Sequence, residues 1–183
     1  MKNDISAIGN ALVDTVFKVE HSLISELGLE IDQMTLSSAE EHAPIIDRLI
    51  ASGADTVSDC GGSATNSLVA AASFGAKCFH TCKISDDQDG VKYLESLKEA
   101  GVGHKGNMAS ANTIPTGKCL ILVTPDAKRT MTTALNVSSL MDDDDLDLNQ
   151  IANSKIFYIE GYMVCLLYTS DAADDTPCVD LGG

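Results

Sequence analysis

Apolar and polar positions along the chain alternate between two rhythms. Ile5 to Ile8 forms a short apolar run closed by Gly9-Asn10, and Leu12 to Val19 continues as β-rich sequence interrupted by Asp14; both read as strands. Ser22 to Gly28 reads as a short helix, and Met34-Thr35-Leu36 as a return to strand. Ser38 and Glu41 have capping-box spacing and open a helix through Ile45, Ile46, Leu49 and Ile50, with Gly53 beyond its end. Asp55 to Cys60 leads into Gly61-Gly62, and Ser67 to Phe74 follows as a helix of small residues in which Ala70, Ala71 and Ala72 are expected to pack. Ala76 to Ile84 has the continuous apolar character of a buried parallel strand. In the next helix Val91, Leu94 and Leu97 share one side, and Gly101 ends it.

From Asn107 the alternation of strand and helix gives way to strand after strand. Gly117 to Thr124 is apolar and extended, Pro125-Asp126-Ala127 is a turn, and Arg129 to Thr133 pairs back as a hairpin. Met141 to Leu146 carries Asp142 to Asp145, which read as a solvated helix start favoured by the helix dipole and not as a metal site. Lys155 to Tyr162 is again a strand, ending where open α/β sheets place ligands. The expected fold class is therefore α/β, a doubly wound sheet with a small β lid.

Charge narrows the range of partners. A formal net charge of -15 over 183 residues excludes nucleic acid and anionic membranes as partners held by bulk electrostatics, and favours a small molecule. No apolar run approaches the length of a membrane span, and Asp4 interrupts any secretory signal at once.

The last stretch differs in kind. Cys165-Leu166-Leu167-Tyr168-Thr169-Ser170-Asp171-Ala172-Ala173-Asp174 resembles translated sequencing adaptor, so 165–183 are read as a non-native tail and 1–164 as the domain. Cys165 and Cys178 leave with that tail. Cys60, Cys78, Cys82 and Cys119 remain, with no Cys-x-x-Cys pair, which fits a reducing cytoplasm. Cys78, His80 and Cys82 share one face of a strand, where buried reduced thiols are expected in preference to a metal.

The order Gly61-Gly62-Ser63-x-x-Asn66, a helix ending at Phe74-Gly75, a strand, and Asp86-Asp87-Gln88-Asp89-Gly90 resembles the N-terminal signature of the ribokinase-like (PfkB) carbohydrate and nucleoside kinases. Gly9-Asn10-Ala11-Leu12-Val13-Asp14 and the hairpin Pro115-Thr116-Gly117-Lys118-Cys119, Thr124-Pro125-Asp126, Arg129-Thr130-Met131 resemble adenosine-kinase-like members. The resemblance implies a truncated ribokinase-like fold with lid segments near 11–36 and 106–134. It implies that Asp14 receives ribose hydroxyls, and that Asn10, Gly61, Gly62, Asn66, Cys119 and Met131 line the substrate pocket. Tyr162 is left between stacking on a base and core packing.

The resemblance also implies ATP and Mg²⁺ as cofactors. The family's late Gly-Ala-Gly-Asp and Asn-x-x-Glu, which supply base, anion hole and metal association, do not occur in 1–164, so no catalytic residue is assigned. The implied parent function is phosphorylation of the 5′-hydroxyl of a nucleoside, adenosine first, or of the primary hydroxyl of a sugar, as in ribokinase- or fructokinase-type enzymes. The chain itself is expected to be inactive. A noncatalytic nucleoside or sugar binder is the alternative, and a dinucleotide-binding oxidoreductase is excluded because no Gly-x-Gly-x-x-Gly follows the first strand. Monomer and homo-oligomer both stay open, because the same lid can close a monomer or pair two. The family usually has Gly-Asp-Asp where this chain has Ser85-Asp86-Asp87, so a positive φ at Ser85 would be strained.

Overall fold

The computed structural model describes residues 2–110 and 114–163. The adaptor-like stretch 165–183 lies outside the described residues.

Two sheets divide the chain between them. β1 (Asn3–Ile8), β5 (Cys78–Ser85), β6 (Gly103–Ala109) and β9 (Ser154–Ile159) form a four-stranded sheet in the order β6-β5-β1-β9, parallel throughout. β2 (Leu12–Lys18), β3 (Met34–Leu36), β4 (Thr56–Gly61), β7 (Gly117–Val123) and β8 (Arg129–Ala134) form a mixed sheet in the order β3-β8-β7-β2-β4. Two of the lid limits expected from sequence are corrected here. β4 is part of the mixed sheet, because it pairs antiparallel with β2 from Leu12↔Gly61 to Phe17↔Thr56. Residues 106–109 belong to β6 and pair with β5, so they lie in the parallel sheet.

Each sheet has its own core. α3 (Ser63–Ser73) and α4 (Gln88–Glu99) cover one face of the parallel sheet, where Ala7, Leu68, Cys78, Cys82, Ile84, Tyr93 and Leu97 are buried together. α1 (His21–Glu26) and α2 (Ala39–Ala51) back the mixed sheet through Leu23, Ile24 and Leu49 against Phe17, Leu120 and Leu122. The second helix is capped by Ser38 as its spacing predicts. The Ser38 hydroxyl accepts from the Glu41 N–H at 3.2 Å, and the Glu41 carboxylate accepts from the Ser38 N–H at 2.7 Å.

Several local expectations are corrected. α3 starts at Ser63, because Gly62 takes φ +98° and ends the strand at once. Ala71 and Ala72 pack on the core, whereas Ala70 is exposed. On α4 the buried stripe runs through Gly90, Tyr93 and Leu97, leaving Val91 46% exposed. The aspartate run is not uniformly solvated: Asp143–Asp145 is a 3-10 turn in which Asp145 is buried and paired with Lys83 at 2.7 Å.

Ser85 carries no strain, since its φ is not positive. Its N–H donates to the Thr116 hydroxyl at 3.0 Å and its own hydroxyl donates to the Ile114 carbonyl. Cys78, His80 and Cys82 are buried on one face of β5. Among the described residues, no group of three His, Cys, Asp or Glu side chains is placed to hold a metal, and no helix is long and apolar enough to cross a membrane.

Ser38→Ala should remove one half of the capping box and cost about 1 kcal/mol. Urea titration should show a lower midpoint with an unchanged slope.

Candidate ligand site at the crossing between the sheets

Parallel strands direct their carboxyl ends to one edge of a sheet, and in open α/β folds that edge holds the ligand. Here the edge is also where the chain crosses between the sheets. The first crossing, Gly9–Ala11, joins β1 to β2, and the second, Gly61-Gly62, joins β4 to α3. A third joins β6 to β7 and is held at Thr116. The Thr116 N–H and hydroxyl both donate to the Asp87 carboxylate at 2.7 Å, while the same carboxylate caps α4 by accepting from the Gly90 N–H at 2.8 Å.

Glu160, immediately after β9, ties the first two crossings together. It is 2% exposed and accepts four hydrogen bonds. Oε1 receives the Asn10 backbone N–H at 2.6 Å and its side-chain amide at 2.7 Å; Oε2 receives the Ser63 hydroxyl at 2.8 Å and the Ala64 N–H at 3.1 Å. Among the described residues, no cation shares these bonds. The first turn of α3 supplies the compensating field, because helix N-termini favour negative charge. Gly9 is required by the same carboxylate: a Cβ there would stand 2.6 Å from Oε2 and 2.5 Å from the Ala64 methyl.

The paired glycines have separate reasons. A Cβ on Gly61 would overlap the Asp14 carboxylate, and one on Gly62 would overlap the Asn10 carbonyl. Gly62 also sits at φ +98°, which side chains of L-residues rarely adopt.

Asp14 therefore lies over Gly61 on β2, directly opposite Asp59 on β4 and beside Cys119 on β7. Its carboxyl is pushed up from 3.8 to about 6, first by burial, with Arg129 pulling it down and Asp59 pushing it up. Strand alternation places Asp14, Val16, Cys119, Ile121, Met131 and Thr133 on one face, opposite the α1–α2 core. Cys119 is buried and its sulfur accepts from the Thr133 hydroxyl at 3.2 Å; burial raises its thiol pKa.

The structure thus gathers Asn10, Asp14, Gly61, Gly62 and Cys119, with Met131 farther along the same face. Asn66 is exposed in the first turn of α3, its N–H donating to the Gly62 carbonyl at 3.0 Å. Tyr162 is 59% exposed and takes no part in the Glu160 network. Sequence reasoning passed over Glu160 and Asp59. Glu160 had one available signal, a carboxylate at the carboxyl end of an otherwise apolar strand. Asp59 had none until the β2–β4 register was known. At this crossing the Asn10 Oδ1 is buried without a hydrogen-bond partner among the described residues, an arrangement that ordinarily costs stability.

A parallel sheet covered by helices and joined to a small mixed sheet, with glycines and carboxylates at the joint, defines the class as a two-part α/β fold. The family model for pfkB family carbohydrate kinases matches residues 30–175, and the chain belongs to that family.

Among solved structures, adenosine kinase from Sinorhizobium meliloti is 30% identical with a TM-score of 0.79, the match covering 94% of this chain and 51% of that one. A probable sugar kinase protein from Rhizobium etli CFN 42 is 26% identical at TM-score 0.79, again covering 94% and 51%. Adenosine kinase from Anopheles gambiae, in complex with P1,P4-di(adenosine-5) tetraphosphate, shares the fold at 23% identity and TM-score 0.78, covering 94% and 55%. The chain spans about half the length of these relatives. No curated protein matches it. The ribokinase-like α/β fold expected from the sequence is the fold observed.

Each Glu160 oxygen receives two donors, so Glu160→Gln must turn an NH₂ toward one of those pairs. We expect a loss of about 3 kcal/mol, read by chemical denaturation, and larger than the loss on Ser38→Ala.

Proposed function

We propose that this chain is the acceptor-binding portion of a kinase that phosphorylates the 5′-hydroxyl of a nucleoside, adenosine first. The observation that carries the reading is the Asp14 carboxylate set over Gly61, at the crossing where Asn10 is held by Glu160. Ionised, Asp14 can accept from two neighbouring hydroxyls at once, as a ribose diol presents them. Gly61 and Gly62 let the backbone approach closely, and Asn66 stands one turn into α3 to meet the same ligand.

Nucleoside is favoured over plain sugar by what lies beyond Asp14. Val16, Ile121 and Met131 continue the same face away from the crossing, with Met34 42% exposed on β3, an apolar surface suited to a base. Cys119 lies between the polar and apolar parts. A sugar kinase of the ribokinase or fructokinase type is the second reading, supported by the likeness to the Rhizobium etli protein. Closure of the mixed sheet over the ligand would exclude water from the transferred phosphoryl group.

Family membership implies ATP and Mg²⁺, which supply the phosphoryl group and neutralise its charge. The described residues do not fit that role. The carboxylates Asp14 and Asp59 face each other beside the crossing and would repel a triphosphate, Arg129 is the cation felt by Asp14, and no metal cluster is formed among the described residues. No step through ATP is assigned to this chain. The partner is read as a small molecule in a reducing cytoplasm, a reading that the free thiols of Cys60, Cys78, Cys82 and Cys119 support.

Binding should follow the ionisation of Asp14. Calorimetry with adenosine should show affinity falling as pH drops through about 6, and Asp14→Asn should bind weakly at every pH. Stability should move the other way. The folded carboxyl is raised above its ordinary value, so its stabilising contribution is full below pH 3.8 and is lost as pH rises through about 6. Asp14→Asn should therefore melt higher than wild type at pH 7.5 and show no such gain at pH 3.5. Equal adenosine binding by wild type and Asp14→Asn would remove the nucleoside reading. The 183-residue chain alone should release no ADP from ATP in the presence of adenosine, and substrate-dependent release in a coupled assay would contradict the assignment of acceptor binding only.

A further inference from the structure

Beneath the glycine crossing lies a second polar chain that the proposed binding chemistry does not use. Thr65, Tyr93 and His80 are all buried and come from α3, α4 and β5. The Thr65 hydroxyl is 2.5 Å from the Tyr93 hydroxyl and 3.3 Å from His80 Nε2, and His80 Nδ1 is 3.4 Å from the Ala7 carbonyl on β1.

The direction of every proton in this chain follows from its ends. Ala7 offers only a carbonyl, so His80 Nδ1 donates to it. Burial holds His80 far below its ordinary value, at about 4, so the ring is neutral at physiological pH and Nε2 is an acceptor. Thr65 must then donate to Nε2, and its oxygen accepts from Tyr93. Each group has one role, and none can be reversed without leaving another unsatisfied.

This chain meets the first turn of α3 at Thr65, while Glu160 holds Ser63 and Ala64 of the same turn. Asn66 follows Thr65 directly, with its N–H on the Gly62 carbonyl. α4 also reaches the mixed sheet, through Lys92 to the Ser58 carbonyl at 3.1 Å and Asp89 to Lys118 at 2.7 Å. The helix that carries Tyr93 is thus joined to both walls of the crossing.

We propose that Tyr93 is a positioning residue for the ligand site, acting through Thr65 to fix the α3 turn that presents Gly62 and Asn66. Tyr93 touches no ligand in this arrangement; it sets where the ligand-facing turn stands. The affinity arm of the test rests on the nucleoside reading above, and the exchange arm does not.

Amide hydrogen exchange on the 183-residue chain, compared for wild type, Tyr93→Phe, Thr65→Val and Thr65→Ser, tests the inference. In Tyr93→Phe and Thr65→Val the Asn66 amide should exchange about tenfold faster, with the amides of β7 unchanged and Thr65→Ser close to wild type. Adenosine should bind about tenfold more weakly to the same two variants. An unchanged Asn66 amide in Tyr93→Phe overturns the proposal, as does a rise shared equally by β7, which is general destabilisation. Faster exchange with unaltered adenosine affinity overturns it too. If wild type binds no adenosine, the nucleoside reading fails, and the Asn66 exchange still decides the role of Tyr93. Should Thr65→Val not fold, the milder Tyr93→Phe, which leaves the Thr65 to His80 bond in place, carries the test.

Discussion

The structure depends on one buried carboxylate. Glu160 is the point at which the end of β9, the β1–β2 crossing and the start of α3 are made into a single rigid corner. A carboxylate without a cation is costly to bury, and four donors with a helix N-terminus are what make it tolerable here. The consequence is geometric. Gly9 must lack a side chain, Asn10 must point its amide inward, and the Asn10 Oδ1 is left as a buried acceptor with no partner among the described residues.

Asp14 shows the opposite balance. Two carboxylates directly opposite on neighbouring strands repel, and the Asp14–Asp59 pair adds to burial in raising the Asp14 carboxyl. Glu160 has donors on both oxygens and holds the corner together, whereas Asp14 carries a burial cost that, under the function proposed above, ligand hydroxyls would offset. Unfavourable local energies of this kind cluster where proteins bind and react.

The two sheets are joined by more than the crossings. The Asp87–Thr116 bonds, the Asp89–Lys118 pair and the Lys92–Ser58 contact all run from α4 or its cap to the mixed sheet or its entry. Lys118 and Asp89 are partly exposed, so that pair contributes little to stability and more to register. The Asp87 bonds span the same sequence distance but end on the buried Thr116. They fix where β7 enters the mixed sheet, and Ser85 fits this turn because its hydroxyl and N–H both have partners there.

Much of this was legible in the chain. Strand and helix periodicity, the Ser38–Glu41 capping box, the Arg129–Thr133 hairpin and the glycine turn follow from local rules about period, caps and backbone freedom, and they act over a few residues. The family signature implies that Asn10, Asp14, Gly61 and Gly62 stand together, and the fold brings these four residues to one crossing. What tertiary structure alone decided are relations across long separations: that β4 joins the mixed sheet and β6 the parallel one, that Asp59 faces Asp14, that Asp145 turns inward to Lys83, and that Glu160 reaches Asn10 across 150 residues. Local sequence sets which face of an element is apolar. Only packing determines which distant donors a buried carboxylate will find.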